Sequence, residues 1–586
     1  MQHSSLSQFS RSPRLAIAFC ALIGVLLPAL HGAVAGVPRP RIHDEYSYLL
    51  AADTFARGRL TNPSPALPTF FEAEHILVVP SYQSKYPPGQ GLVLAIGVVL
   101  FGHPIWGVWL SCGLFAGSLC WMLQAWTSRT WALVLTTFSA LTLGTATYWA
   151  QSYWGGMVAA AGAALVFGAI RRLDRAPRVG VSVLLALGLL LLANTRPFEG
   201  ALAAIPAIAY WVRRIARSGS ELKSRFLTGV LPAVVVLSVG IGMMGVYNHA
   251  VTGSAFLFPY SLHLQQYLHH GVFLFGDTHE PTRQAVDRIA QFFRERSASS
   301  LQGTELASQA AANLIMRLPL AVSTAFGFSL LATAAESFRS IFIWSLLLPQ
   351  VWGRHSTRVL RLAFIAVSSI ELLVWFRDPG YLILLAPALG LGLLTVLHAV
   401  AVPGEWMRRS LLAIVGTLAV QSLVAWWYPH YTAPLLPLVV AMVGAELRRA
   451  SRRRGVSLRR HIWKLMAVGV AAQLLALGVA RLGHANQPSA QADQYPNREA
   501  VARHLEAIGG QHLVMVSYAS DYPLDSEWVF NGADLSGSPV LFAHRLGEDK
   551  NAELFRIMPS RYVWHLDVSS RGGQLSRAVV SEKHLQ

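Results

Sequence analysis

Charge and cysteine are both scarce in this sequence. Of 586 residues only 13% are charged and three are cysteine, whereas an average soluble domain carries about 25% charged residues. With 53% hydrophobic residues and 17 tryptophans, the apolar content exceeds what an aqueous core of this size can use. Cys20, Cys112 and Cys120 all fall in apolar runs, which argues against a disulfide framework and a thiolate metal site and leaves them as packing residues. A Walker loop, a dinucleotide fingerprint and an HExxH pair are also missing, so neither ATP hydrolysis nor direct use of a soluble nucleotide sugar is indicated. No repeat of fixed period is present.

What is there is the pattern of a polytopic membrane protein. The net charge of +18 comes from basic residues in short runs between apolar segments, chiefly 171–178, 213–225, 354–361 and 448–464. Such runs mark cytoplasmic loops, so the charge reads as topology and not as a nucleic-acid surface. Between them, apolar stretches pair into outward hairpins: 131–149 with 156–170, 179–193 with 200–212, 362–376 with 381–400, and 411–427 with 435–445. Adding 15–37, 105–123, 227–247, 341–352 and 463–480 gives about 13 spans, N-terminus cytoplasmic and C-terminus outside. Residues 91–101 are too short to cross and read as a half-span or interfacial helix; 318–331 is ambiguous. The run at 15–37, with Ala33-Val34-Ala35 before Gly36, also resembles a cleavable signal, but it reads better as a retained helix because its exit places an acidic pair at the interface.

The expected fold is an all-α polytopic membrane module, residues 1–482, with long outer loops at 38–88 and 248–317, followed by a small extracytoplasmic α/β domain at 483–586. In that tail 512–518 and 561–566 read as strands. In the second loop Val286, Ile289, Phe292 and Phe293 recur at helical spacing, which predicts a helix lying on the membrane surface. The tail is expected on the outer side of the membrane.

Polar residues collect on the outer side. His43-Asp44-Glu45-Tyr46 follows the first span, and paired carboxylates at a membrane rim can act as a base, a metal site or a substrate clamp. If the residues after Tyr46 are helical, Asp44 and Glu45 leave the first turn in different directions, one free to act and the other to support the backbone; both would also suit a helix N-terminus. Asp53 reads as a pairing residue. Lys85-Tyr86-Pro87-Pro88-Gly89 and Asn194-Thr195-Arg196-Pro197-Phe198-Glu199 supply cations, Lys85 and Arg196, suited to a phosphate leaving group. A snorkelling lysine and an Arg196–Glu199 ion pair are the plainer readings. His430 in Tyr428-Pro429-His430-Tyr431 could donate to a phosphate or sugar, although aromatics there also form an interfacial belt. Tyr86, Tyr153, Glu199, Asn248, Tyr431, Glu527 and Trp528 are weaker substrate candidates, with Asn531 and Asp534 beside the last two. No motif demands a cofactor; a divalent metal could be held by Glu72, Glu74 and His75. His263, His269 and His270 read as interfacial loop residues.

Asp44-Glu45 after the first helix, the Lys85-Tyr86-Pro87-Pro88 turn and the many-helix frame with an outer C-terminal domain resemble the C-type membrane glycosyltransferase superfamily, whose aminoarabinose transferases and protein O-mannosyltransferases are the nearest examples. The resemblance implies that Asp44 is the catalytic residue, that Lys85 approaches a polyprenyl phosphate, and that a sugar passes with inversion from a polyprenyl-phosphate donor to a hydroxyl acceptor on a glycan, lipid or protein at the outer face. The tail, from Ser517-Tyr518 to His544-Arg545, departs from both examples and leaves the acceptor open. A transporter or flippase of lipid-linked glycans is the rival from another class, but it should carry ionisable groups near the midplane of related, broken helices, and here they sit at one rim. A non-catalytic assembly subunit would also carry an outer domain, and a polymerase or ligase with a polyprenyl-diphosphate donor would share the same chemistry.

Overall fold

A computed structural model describes residues 12–144, 147–269, 271–275, 279–296, 304–310, 312–313, 405–453 and 494–578. The protein is mostly helical, and among the described residues four helices are long and apolar enough to cross a membrane: Pro13–Ala35, Ile105–Trp126, Gly156–Arg175 and the continuous run Gly219–Thr252. It is a membrane protein. The spans expected at 341–352, 362–376, 381–400 and 463–480, and the segment 318–331, lie outside the described residues.

The first helix, α1 (Pro13–Ala35), starts where Ser12 Oγ accepts from Leu15 N at 3.4 Å. Helix α2 (His43–Ala56) carries the acidic pair in its first turn. Strands β1 (Asn62–Pro63), β2 (Ile76–Leu77) and β3 (Ser81–Ser84) follow as a small antiparallel sheet, β3 in the middle. Helix α3 (Pro88–Phe101) has only 14 residues, about 21 Å at 1.5 Å per residue and too short to cross, and Gly102 ends it with a left-handed φ of 74°. Helices α4 (Ile105–Trp126), α5 (Arg129–Gly144), α6 (Gly156–Arg175), α7 (Val179–Ala193) and α8 (Pro197–Ala216) then pack around one core, with α6 at its centre because alanine and glycine on its surface let neighbours approach closely. Next come α9 (Leu231–Thr252), whose Val234, Val235, Val239, Ile241 and Met243 are exposed as lipid-facing residues would be, α10 (Pro259–Tyr267) and α11 (Asp287–Arg296). Helices α12 (Glu405–Gln421) and α13 (Leu436–Arg453) complete the helical frame as described.

The apolar face of α11 does not lie on a membrane. Ile289, Phe292 and Phe293 are each no more than 3% exposed and pack on Tyr267, Leu268 and the two histidines His43 and His75, so the helix roofs the loop between α2 and α3. Periodicity identified the helix and its buried face; it could not say that protein, not lipid, covers that face.

Residues 494–578 form a five-stranded mixed sheet in the order β4 (Gln494–Tyr495), β8 (Gly572–Arg577), β7 (Tyr562–Ser569), β5 (His512–Tyr518), β6 (Val540–His544), with β5 parallel to both neighbours. Alternation along β5 sends Val514 and Val516 to one face, under α14 (Arg498–Ile508), and Leu513 and Met515 to the other, under α15 (Glu548–Ile557). Phe70 and Phe71, in the loop between α2 and α3, join that second face, and Tyr46 stacks on Phe530 with ring centroids 4.2 Å apart. The sheet and the loop therefore share core.

Candidate active site

The two adjacent carboxylates have opposite fates. Glu45 turns back to the helix start, where Oε2 accepts from Arg41 N at 2.8 Å and Oε1 from Tyr153 N at 3.0 Å. It holds the chain entering α2 and is not free to act on a substrate. Asp44 turns the other way, into a cavity of about 380 Å³ also lined by Lys85, Tyr86, Arg196 and Glu199. Tyr86 Oη donates to Asp44 Oδ1, His43 Nδ1 lies 3.1 Å from Oδ2 and His75 Nε2 3.7 Å from it.

The two cations reach this cavity because two turns dock. Gly89 N donates to Asn194 O at 2.8 Å, and a Cβ on Gly89 would lie 2.6 Å from that oxygen. Only glycine lets the Pro87-Pro88-Gly89 turn close on Asn194-Thr195-Arg196. Lys85 follows β3 and is 3% exposed; its Nζ stands 4.9 Å from the Tyr260 ring centroid and 5.3 Å from that of Tyr86. Arg196 stacks over Tyr431 at 4.5 Å, and its Nε is buried without a hydrogen-bond partner. Among the described residues no carboxylate lies within 4.0 Å of either cation, Glu199 included. The remaining wall is apolar and aromatic, with Tyr247, Phe258, Phe273 and Trp426 among its members.

Burial opposes the charge on Asp44, but His75, His43 and the Tyr86 hydroxyl outweigh it and hold its carboxyl well below the usual range, so it is ionised at neutral pH. Burial, and then the charge of Lys85, push the His75 imidazole well below its ordinary value, with Asp44 opposing the shift. Burial lowers the Lys85 ammonium to about 7, with Asp44 opposing the shift. His75 also takes a left-handed φ of 65°, uncommon for a residue with a Cβ, while its carbonyl accepts from Lys85 N at 3.1 Å and from Ser47 Oγ at 2.7 Å.

Asn248 and Tyr431 also line the cavity. Other residues singled out from the sequence are placed elsewhere. His430 is not in the lining; it is buried behind it, its ring 4.2 Å from Trp154. Tyr153 is buried and its hydroxyl donates to Pro38 O at 2.9 Å. Glu527 accepts from Trp528 N and Val529 N at 2.8 and 2.9 Å and pairs with Arg288 at 3.3 Å, while Trp528 is in the core of the sheet. Asn531 bonds both ways with Phe542, and Asp534 caps Gly537 N at 2.9 Å. Asp53 pairs with Arg57 at 2.8 Å. His263 is no interfacial loop residue; it is fully buried in α10, its ring 6.1 Å from that of His75. His269 lies 3.7 Å from Glu280, and His270 lies outside the described residues. Sequence reasoning gave no role to His43 or Tyr260; for His43 the signal was its place directly before Asp44.

The residues that could hold a metal differ from those expected. Glu72 is paired with Arg283 and accepts from Val286 N at 2.9 Å, and Glu74 is buried near Glu527. Instead His43, Asp44 and His75 each offer one ligand atom, all within 4.8 Å of one another, and His75 Nδ1 is buried without a hydrogen-bond partner. Two imidazoles and a carboxylate suit a zinc- or manganese-like divalent ion.

No known family model matches this chain, and no curated protein matches it. Among solved structures it is similar to ArnT from Cupriavidus metallidurans bound to undecaprenyl phosphate, at 15% identity and a TM-score of 0.47 over 94% of this chain and 92% of that one. It is also similar to the oligosaccharyltransferase AglB from Archaeoglobus fulgidus in complex with an inhibitory peptide and a dolichol phosphate, at 11% identity and a TM-score of 0.37 over 94% of this chain and 69% of that one. Both are C-type membrane glycosyltransferases, the superfamily that the sequence motifs resemble. At TM-scores below 0.5 the chemistry of this chain has to be argued from its own cavity.

Proposed function

We propose that the cavity is the active site of a membrane glycosyltransferase whose donor is a sugar carried on a polyprenyl phosphate, the lipid class named for ArnT. One observation carries the reading: a buried lysine and a half-buried arginine, neither with a carboxylate within 4.0 Å among the described residues, face the same largely apolar cavity as the Asp44 carboxylate. A buried unpaired cation is costly, and an anionic ligand removes that cost. The apolar and aromatic wall suits a prenyl chain. The phosphate meets Lys85 and Arg196, and Asp44 accepts the proton of an acceptor hydroxyl. That oxygen attacks the anomeric carbon as the bond to phosphate breaks, and the charge left on the phosphate is offset by the two cations. Displacement from the side opposite the phosphate inverts the anomeric configuration. A divalent ion at His43, Asp44 and His75 would add electrostatic stabilisation of the leaving phosphate.

The test is transfer of radiolabelled hexoses and pentoses from a panel of synthetic polyprenyl-phosphate sugars by the purified full chain in lipid, native beside Asp44→Asn. Transfer or slow donor hydrolysis that disappears in the variant, with the fold intact, is the expected result. An Asp44→Asn protein that turns over normally overturns the assignment.

A further inference from the structure

At the far end of α8 is a second cavity, of about 680 Å³, and its wall is the reverse of the first. Five arginines line it, Arg213, Arg214, Arg217, Arg225 and Arg409, and Glu221 is the one carboxylate among its lining residues. The run Gly219–Thr252, long and apolar enough to cross a membrane, carries Glu221 and Arg225 of this cavity near its start and Tyr247 and Asn248 of the first cavity near its end, a separation greater than one hydrocarbon thickness at about 1.5 Å per residue. The arginine cavity is therefore on the membrane face opposite the candidate active site.

Three of its arginines are accounted for. Arg214 Nε pairs with Asp174 Oδ1 at 3.0 Å, Arg225 Nε pairs with Glu221 Oε2 at 2.8 Å, and the Arg409 guanidinium lies 3.1 Å from the Tyr210 ring centroid. Arg213 and Arg217 form no ion pair among the described residues, and four positions apart they repel each other across one helix face. Topology and the helix C-terminus explain why cations lie at this membrane face. Neither requires a concave wall, nor that Arg409 of α12 be brought from a distant part of the sequence to complete it. In the helical turns that directly follow Arg225 in the chain, Phe226, Leu227 and Leu231 are exposed by 47%, 46% and 39%. A cationic hollow with an apolar flank matches a molecule with an anionic head and hydrocarbon tails.

We infer that this cavity binds the phosphodiester headgroup of an anionic membrane lipid from the leaflet opposite the active site, with its acyl chains along Phe226, Leu227 and Leu231. Guanidinium forks suit phosphate oxygens geometrically as well as electrostatically, and basic hollows between helices at this membrane face are suited to such headgroups. The inference does not depend on the catalytic reading.

The experiment is native mass spectrometry of the delipidated full chain titrated with tetraoleoyl cardiolipin, dioleoyl phosphatidylglycerol and dioleoyl phosphatidylcholine. Saturable binding of an anionic lipid at least tenfold tighter than the zwitterionic one is expected, weakened at least fivefold in Arg213→Gln/Arg217→Gln with an unchanged circular dichroism spectrum. Should the double variant not fold, Arg217→Gln alone, at an exposed position, is expected to weaken binding at least twofold. Equal affinity for all three lipids, or anionic binding unchanged in the folded variants, overturns the proposal. Release of the lipid by millimolar inorganic phosphate would also overturn it, in favour of a site for a soluble anion.

Discussion

The cavity around Asp44 and the sheet at residues 494–578 use the same kinds of side chain to opposite ends. In the sheet region Arg561 and Arg288 are closed on protein: Arg561 donates to the carbonyls of His512, Leu535, Ser536 and Ser538 at 2.8–3.2 Å, and Arg288 holds Glu527 while donating to Pro523 O and Ser526 O at 2.6 Å each. In the cavity Arg196 Nε has no hydrogen-bond partner and Lys85 has no carboxylate within reach among the described residues. Satisfied cations hold a fold together; buried cations left open await an anion. Arg498 Nε in the sheet region is also buried without a hydrogen-bond partner, so it is the convergence of Lys85 and Arg196 on one cavity, and not an open donor alone, that marks the site.

The largest effect should follow from touching the open side. Asp44→Asn keeps the volume and the Tyr86 contact but removes the base, and transfer is expected to fall by about 10²–10⁴-fold with melting temperature nearly unchanged. Single-turnover kinetics beside a thermal melt would check both. The complementary change on the closed side is Arg288→Ala. It strands the fully buried Glu527, near Glu74, without its cation, and should cost about 3–5 kcal/mol of stability while the folded fraction keeps its turnover. Urea unfolding in detergent would show whether the two regions divide in this way; a folded Arg288→Ala protein without activity would erase the distinction.

Lys85→Met sharpens the comparison on the open side alone. It removes a charge-assisted contact worth about 1.5–3 kcal/mol, so donor affinity should fall about 10–100-fold. Because the free protein no longer buries an ammonium without a carboxylate partner, its stability should hold or rise. Loss of affinity together with stability would instead make Lys85 a structural residue.

Much of this division is legible in the sequence. The helical run 179–193 and the strand His512–Tyr518 stand where a continuous apolar stretch and a short β-like run put them. The adjacency of Asp44 and Glu45 already implies that only one of them can face a substrate, since neighbours on a helix diverge. What is not legible is anything set by docking between distant segments. His430 lies in an aromatic turn as expected, yet its ring packs on Trp154 and Tyr148 and stays out of the lining. Trp528 and Glu527 look like an acceptor platform in sequence, but β-sheet packing turns both inward. The meeting of Lys85 with Arg196 depends on Gly89 lying against Asn194, a contact between positions about a hundred residues apart that composition and spacing do not encode.

The smallest expected effect concerns protons. The folded-state ammonium of Lys85 titrates near 7 because burial disfavours the charge, whereas in the unfolded chain it titrates near its ordinary value of about 10.4. Between those values the unfolded chain binds more protons than the native one, so this group makes stability rise with pH from about 7 and level off above about 10. Donor binding should run the other way. Only the ammonium attracts phosphate, so affinity is full below pH 7 and declines above it by at most about tenfold per unit, less where the bound phosphate itself raises the lysine's affinity for its proton. Titrating donor affinity from pH 6 to 9 in chelator-treated protein, beside Lys85→Met, isolates the effect: the native curve should bend near neutrality and the variant's should stay flat. A bend shared by both proteins would take the titration, and with it the origin of the open charge, away from Lys85.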